Sequence, residues 1–523
     1  MLFEWIVAAA VAQQQSGSDV LGRKRLDQRP PAGAPTGRSP TGTATIDAEG
    51  RDQPITTIVF QGAEAPSAVA VAARAFIGRP ANRETLTELA GALSRAYERT
   101  DVALYNVSIP DQDFRDGSVT VSLTEGFVEA VEVKGNADAF PLLRRRAARL
   151  IGEKPLSRRR LQRQTALIQS IPGLTVESAF DNPEGDGSVK LVAAPKQQRV
   201  QAAFGINNRG PNLLGDLVLN FGVDFYKLMA DGDQLSFTAG ATPQVSRYRL
   251  LESAYAFPLG VDGLTLTGSV GRLRTRARNL DVRGRAELAG LTLSYPVIRR
   301  DEQAADVSFG VDGVNSNNAA FGNVIASERT RAARLAGTFV NASNKHNLTL
   351  TSTLSRGLDI FDARSGVGQP TFGKVNASGS YERLLAARLL GRASVLAQFT
   401  GDLLPAAELF SVGGASIGRA FDTGFLTGDR GRGGFVELAY RPVRAEDFKQ
   451  SEFYLFADAA DLTVKARGEF PAQNFDMASG GVGVRGRYKN RIQLGLEGAG
   501  VLDRPFPAYT KDWRLSFFYS ILL

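Results

Sequence analysis

Between Ser411 and Gly434 the chain reads SVGGASIGRAFDTGFLTGDRGRGG, a glycine-rich stretch containing Gly418-Arg419-Ala420-Phe421 and, further on, Gly428-Asp429. Phe456-Ala457-Asp458 follows in an alternating segment. There Phe453, Leu455, Ala457 and Ala459 share one face, and Phe456 and Asp458 share the other. Glu437 likewise lies opposite Val436, Leu438 and Tyr440. A guanidinium can fork onto a carboxylate through two charge-assisted hydrogen bonds, so these residue types suit fastening rather than bond-breaking. Catalytic chemistry is poorly supplied. With 0 Cys and 1 His there is no thiolate, no cysteine or histidine zinc site, and no ordinary Ser-His-Asp triad unless His346 serves. The Ser-x-Gly and acidic clusters have no base at a recognisable spacing, so no catalytic residue, cofactor or metal is expected and the chain does not read as an enzyme.

Fastening residues need a frame. In the 196–523 region the apolar period is 2, as in Leu217, Leu219, Phe221, Val223 and Phe225, opposite Asn220, Gly222 and Asp224. The last segment sets Trp513, Leu515, Phe517, Tyr519 and Ile521 against Arg514, Ser516 and Ser520. Such strands suit a sandwich that buries one face against a second sheet, or an outer-membrane barrel with one face in lipid and the other around a polar lumen. About sixteen candidate strands fit between residues 198 and 522, with the longest strandless interval at 403–432. A loop of that length is usually functional.

Two smaller units precede this region, at 54–125 and 126–195. Each reads strand–helix–helix–strand–strand. In the first, Asn82 caps a helix carrying Leu86, Leu89, Ala90, Leu93 and Tyr97, and Asp116-Gly117 turns the final hairpin. In the second, Ser157 caps the corresponding helix and Asp186-Gly187 makes the turn. Upstream, 1–12 (MLFEWIVAAAVA) resembles the end of a secretory signal, and 13–53, rich in Pro, Gly, Ser and Arg, reads as a disordered linker. A basic run, Arg144 to Arg163, reads as a solvated helix face or as a contact for an anionic surface. The net charge of +8 is modest for 523 residues, and no aromatic interleaving points to nucleic acid.

The expected fold is an all-β transmembrane barrel of about sixteen antiparallel strands, preceded by two small α+β domains. The tandem modules look like POTRA domains. With the barrel, Arg419-Ala420-Phe421 and Phe456-x-Asp458, the chain resembles the two-partner secretion outer-membrane transporters (TpsB type, the ShlB/FhaC/HecB-like haemolysin secretion/activation family). The family signature is Val-Arg-Gly-Tyr/Phe; Ala420 replaces its Gly.

The resemblance implies an outer-membrane pore of a Gram-negative bacterium with its modules in the periplasm. It would secrete a large filamentous haemagglutinin- or haemolysin-like exoprotein without ATP, and the modules would bind that exoprotein in extended form. It implies that the loop folds into the barrel, that Arg419 pairs with Asp458, and that Phe456 and Glu437 are further wall partners. Trp513, Phe517 and Tyr519 would form a terminal assembly signal read by the barrel-assembly machinery, although the chain ends in Leu523 rather than Phe. Outer-membrane lipid is the other partner implied, and the pore is expected to be a monomer. A barrel-assembly or autotransporter-assembly insertase of the same superfamily is the alternative, but it generally carries three or more modules.

Overall fold

The computed structural model describes residues 42–181, 186–278, 281–321, 323–442, 446–448, 451–489 and 491–523. The expected signal segment 1–12 and most of the expected linker lie outside the described residues.

In the N-terminal unit the strands are β1 (Thr43–Ile46), β2 (Gly50–Pro54), β3 (Thr57–Gly62), β4 (Pro80–Asn82), β5 (Tyr105–Ile109) and β6 (Ser118–Glu125) for the first module. Its helices are α1 (Ser67–Arg74) and α2 (Arg83–Tyr97). The Asn82 side chain accepts from the Thr85 N–H at 3.0 Å, which starts α2, and Leu86, Leu89, Leu93 and Tyr97 then bury one helical stripe on the sheet. The sheet order is β1-β5-β6-β3.

The second module holds β7 (Phe127–Val133), β8 (Leu174–Asp181) and β9 (Ser188–Gln197), ordered β7-β9-β8, with α3 (Pro141–Ala148) and α4 (Arg158–Gln169). The second module shows the expected β-α-α-β-β order, and the first shows it from β3 onward with the short β4 set between its helices.

Two readings need correction here. Residues 43–53 are not linker: β1 pairs in parallel with β5 and Ala48 is fully buried in the first module's core. The segment's Pro/Gly/Ser-rich surroundings hid a four-residue strand whose stability comes from the β5 edge rather than from its own apolar content. The basic run is not a uniform solvated face either. Arg146 is buried, the Arg158 guanidinium donates to the Thr100 and Val102 carbonyls, and Arg160 donates to the Arg149 and Ile151 carbonyls.

The second unit begins with β10 (Val200–Asn207), β11 (Val218–Tyr226), β12 (Gln234–Ala241), β13 (Tyr248–Pro258), β14 (Thr265–Arg276) and β15 (Val282–Arg299). It continues with β16 (Gln303–Ala320), β17 (Asn323–Ala342), β18 (His346–Gly357), β19 (Gly373–Ala386) and β20 (Leu389–Thr400). After the two short strands β21 (Phe410–Val412) and β22 (Leu426–Gly428) come β23 (Arg430–Tyr440), β24 (Glu452–Val464), β25 (Gln473–Tyr488), β26 (Ile492–Asp503) and β27 (Trp513–Leu522).

Among the described residues, sixteen of these strands close into one barrel, β10–β20 followed by β23–β27. Neighbours run antiparallel, and β10 seals against β27 through the register Ala203↔Leu522 to Asn207↔Phe518. Closure leaves no unpaired edge, which a lipid-embedded sheet requires.

Within the apolar band, outward residues are bare of protein neighbours: Val436 is 60% and Val482 65% exposed. Inward residues on β23, β24 and β26 include buried carboxylates, Glu437, Glu452, Asp458 and Glu497. The interval expected to be strandless over 403–432 instead spans 401–429, because β23 starts at Arg430, and it contains the β21–β22 hairpin.

Candidate functional site

The loop between β20 and β23 is buried against the barrel's inner wall. Its tip is shaped by Gly418, whose φ of +72° is open to glycine and strained for other residues; a Cβ there would stand 3.2 Å from Gly413 Cα. Ala420, the departure from the family signature, is not among the residues with positive φ, so its side chain costs no backbone strain. It is buried, and its N–H donates to the Ser479 hydroxyl at 3.3 Å.

Arg419 is only 5% exposed. Its guanidinium does not pair with Asp458, as the resemblance implied. Nη1 donates to Glu497 at 3.1 Å and to Glu437 at 3.3 Å. The guanidinium carbon sits 4.3 Å from the centroid of Phe456 and 4.5 Å from that of Phe435, so the cation is sandwiched between two rings from β24 and β23. Asp458 holds the loop differently. Its carboxylate accepts the Gly418 N–H at 2.7 Å, the Arg419 N–H at 3.3 Å, and the Ser479 hydroxyl at 2.8 Å. Successive N–H groups around a left-handed residue form a concavity suited to an anion. Strand alternation brings Phe456, Asp458 and Glu437 to the loop, but the direction of the loop backbone decides which group each one meets.

Phe421 is fully buried, stacks with Phe425 at 5.6 Å between ring centroids and meets the tilted ring of Tyr509 at 5.2 Å. Glu437 and Glu497 are not Arg419's alone. Glu437 also pairs with Arg392 at 2.8 Å and with Arg485, while Glu497 pairs with Arg209 and accepts the Tyr454 hydroxyl at 2.9 Å. Glu497 had a signal in the sequence, since it lies on the polar face of its strand. Its second cation, Arg209, did not.

The stem of the loop has anchors that sequence reasoning missed altogether. Glu408 is fully buried, and its carboxylate meets Arg334 of β17 at 2.9 Å and Lys374 of β19 at 2.9 Å. Arg334 also forks onto Asp312 of β16, at 2.5 and 3.1 Å. Ala406 N–H donates to Glu328 at 3.1 Å. At the other end of the loop, Gly428 closes the β21–β22 hairpin opposite Phe410, a position where a Cβ would lie 2.6 Å from the Thr463 carbonyl oxygen. Asp429 accepts both Arg467 Nη atoms, at 2.7 and 2.9 Å, together with the Leu404 and Lys465 N–H groups, each at 2.9 Å. Trp513, Phe517 and Tyr519 lie on β27, the strand that closes the barrel, whose Arg514 pairs with Asp422 of the loop.

All of these contacts hold the loop in place. It is a polypeptide strap inside a polar-lined cylinder, held at its stem and at its tip. The sequence profile of the haemolysin secretion/activation protein family ShlB/FhaC/HecB matches residues 185–486, more than half of the chain. The chain is 24% identical over 431 residues to the outer membrane transporter CdiB of Escherichia coli, a match covering 76% of this chain and 71% of the relative. It shares its fold with the solved structure of CdiB from Escherichia coli, at TM-score 0.67 and 18% identity over 99% of this chain and 98% of the other. CdiB from Acinetobacter baumannii is similar at TM-score 0.64 and 16% identity, covering 98% of each chain. With the closed barrel and its inward-folded Arg-Ala-Phe loop, this chain belongs to the haemolysin secretion/activation family ShlB/FhaC/HecB, the outer-membrane transporters of two-partner secretion.

Proposed function

We propose that the barrel passes an unfolded exoprotein across the outer membrane, with the 401–429 loop as the releasable element in its path. The burial of Arg419 between Phe435 and Phe456, with Glu437 and Glu497 at its tip, carries this reading. A cation held in that way fixes one loop position and is lost as a unit when the loop moves. The polar lumen would hydrate the passing backbone, and folding outside would make transport directional.

Recognition belongs to the two modules, 54–125 and 126–195 as first bounded, the first extended upstream to residue 43 by β1. An extended exoprotein segment would add as a strand to an open sheet edge, where main-chain hydrogen bonds give affinity with loose sequence demands. In the second module β8 is such an edge. In the first, β5 is covered by β1, which leaves β3 as the open edge of the original module. The terminal strand with Trp513, Phe517 and Tyr519 would be read by the barrel-assembly machinery, and the transporter would work as a monomer.

The test is Arg419→Ala, comparing exoprotein in the culture supernatant with heat-modifiable barrel in the outer membrane. The expected result is normal barrel with secretion reduced at least about tenfold, the factor set by ~1.4 kcal/mol of lost fastening. Normal secretion would remove the loop from the mechanism.

A further inference from the structure

The barrel's outer wall carries a charge arrangement that translocation does not use. On β13, β14 and β15 the lipid-facing side is marked by Leu251, Val270 and Leu291, which are 53%, 59% and 54% exposed. Because side chains alternate, Arg249 shares the face of Leu251, Arg272, Arg274 and Arg276 share that of Val270, and Arg283 and Arg285 share that of Leu291. The strand register sets Arg249 opposite Arg274, and Arg274 opposite Arg285, in one row across three strands. Two residues nearer the strand ends, Arg276 stands opposite Arg283.

Like charges placed directly opposite each other in a sheet repel. The local acids do not balance them. Glu287 is shared by Arg285 at 2.6 Å and Arg272 at 3.5 Å, and Asp281 takes Arg283 at 3.2 Å. Arg249, Arg274 and Arg276 have no ion pair among the described residues. The five outermost arginines line a groove of about 630 Å³ together with Asn317.

The height of this cluster follows from connectivity. The chain enters β10 from the periplasmic side, so antiparallel alternation puts the start of β13, the end of β14 and the start of β15 at the external surface. The arginines therefore lie just beyond the apolar band, on its lipid side, at the level of the outer leaflet's headgroups. We infer that this row and pair form a binding site for a bis-phosphorylated saccharolipid of the outer leaflet. Guanidinium forks match phosphate oxygens bidentately. The row and the pair are separated by two residues, about 7 Å along the strands, so each can take its own phosphate.

Native mass spectrometry of the full-length chain in detergent would test this, titrating with bis-phosphoryl lipid A, monophosphoryl lipid A, phosphatidylethanolamine and inorganic phosphate separately. The wild type is expected to retain bis-phosphoryl lipid A in preference to phosphatidylethanolamine, with monophosphoryl lipid A weaker and millimolar inorganic phosphate unable to displace it. The triple variant R249Q/R274Q/R285Q, verified as a heat-modifiable barrel, is expected to bind at least about tenfold more weakly, as loss of charge-assisted hydrogen bonds requires. If the triple variant does not fold, Arg274→Gln at the centre of the row is expected to give a smaller loss in the same direction. Equal retention of phosphatidylethanolamine and lipid A by the wild type, displacement by inorganic phosphate alone, or undiminished lipid A binding in the folded variant would each overturn the assignment.

Discussion

Arg419→Gln isolates the fastening of the loop tip from everything else that holds the loop. The glutamine keeps the backbone N–H bond to Asp458 and removes the charge, the two Nη1 hydrogen bonds at 3.1 and 3.3 Å, and the stack between Phe435 and Phe456. A hydrogen bond to a charged group contributes ~1.5–3 kcal/mol net. Here the two together contribute only ~2 kcal/mol, because Glu437 keeps Arg392 and Arg485, and Glu497 keeps Arg209 and Tyr454. Part of the cation–π contact, ~1 kcal/mol, is lost as well. The total is ~3 kcal/mol, or about two decades in the population of released loop at ~1.4 kcal/mol per decade.

The chain has 0 Cys, so Val412→Cys in β21, where the native side chain is buried, supplies the sole thiol. Its maleimide labelling rate in outer-membrane vesicles tracks the open population when reclosing is fast. The expected result is a rate about 100-fold above that of Val412→Cys alone, at unchanged barrel content. A rate within about threefold of the parent, less than ~1 kcal/mol, would refute the claim that the guanidinium fastens the tip.

Four further outcomes follow from the same geometry. Asp458→Asn turns a charge-assisted acceptor of two loop N–H groups into a neutral one, and should raise Val412→Cys labelling by about tenfold or more, since such bonds contribute ~1.5–3 kcal/mol. Gly418→Ala places a Cβ on a φ of +72°; the ~1–2 kcal/mol of left-handed strain should reduce secretion about tenfold while the barrel still inserts, as shown by heat-modifiable mobility. Glu408→Gln leaves Lys374 buried with its carboxylate partner gone, and should destabilise the barrel by ~3–5 kcal/mol, seen as a lowered urea unfolding midpoint in lipid vesicles. In the second module, Val176→Pro on the open edge β8 removes a donor and stiffens the strand, and should weaken binding of exoprotein peptides to the N-terminal unit without changing barrel content.

The barrel was the most legible part of the chain, because lipid outside and water inside impose a period of 2 on every strand. All sixteen candidate strands correspond to observed ones, with the largest differences on β16 and β17. The upper part of β16, Asn315 to Asn318, is polar on both faces, so alternation fades where the strand outruns the apolar band. The module helices were legible through Asn82 and Ser157, whose caps form as expected. β1 was not, since TATI is held by an edge far along the chain. Period 2 also identified the inward face of Asp458 and Glu437. It carries no information on which loop atom each carboxylate meets, and so the expected Arg419–Asp458 pair proved to be a backbone contact beside a different ion pair. Glu408 and Arg334, 74 residues apart, had no local signal at all.

The two anchors differ in what their loss should do, and that difference bears on how a strap inside a pore can be both secure and releasable. At the stem, Glu408, Arg334 and Lys374 are each at most 1% exposed at the side chain, so opening one contact strands a charge in a region from which water is excluded. At the tip, Glu437 and Glu497 have standby cations in Arg485, Arg392 and Arg209, which can take up their charge when Arg419 leaves. Departure of the tip therefore costs the bonds of one guanidinium rather than an uncompensated carboxylate. Buried ion pairs contribute more to register than to net stability, and a stem fixed in register lets the tip swing out and return to the same seat. On this reasoning Arg419→Gln should raise Val412→Cys labelling and leave the unfolding midpoint unchanged, whereas Glu408→Gln should lower the midpoint. A common effect of both substitutions on the midpoint would show that tip and stem open as one unit, and the strap would then be a fixed brace rather than a gate.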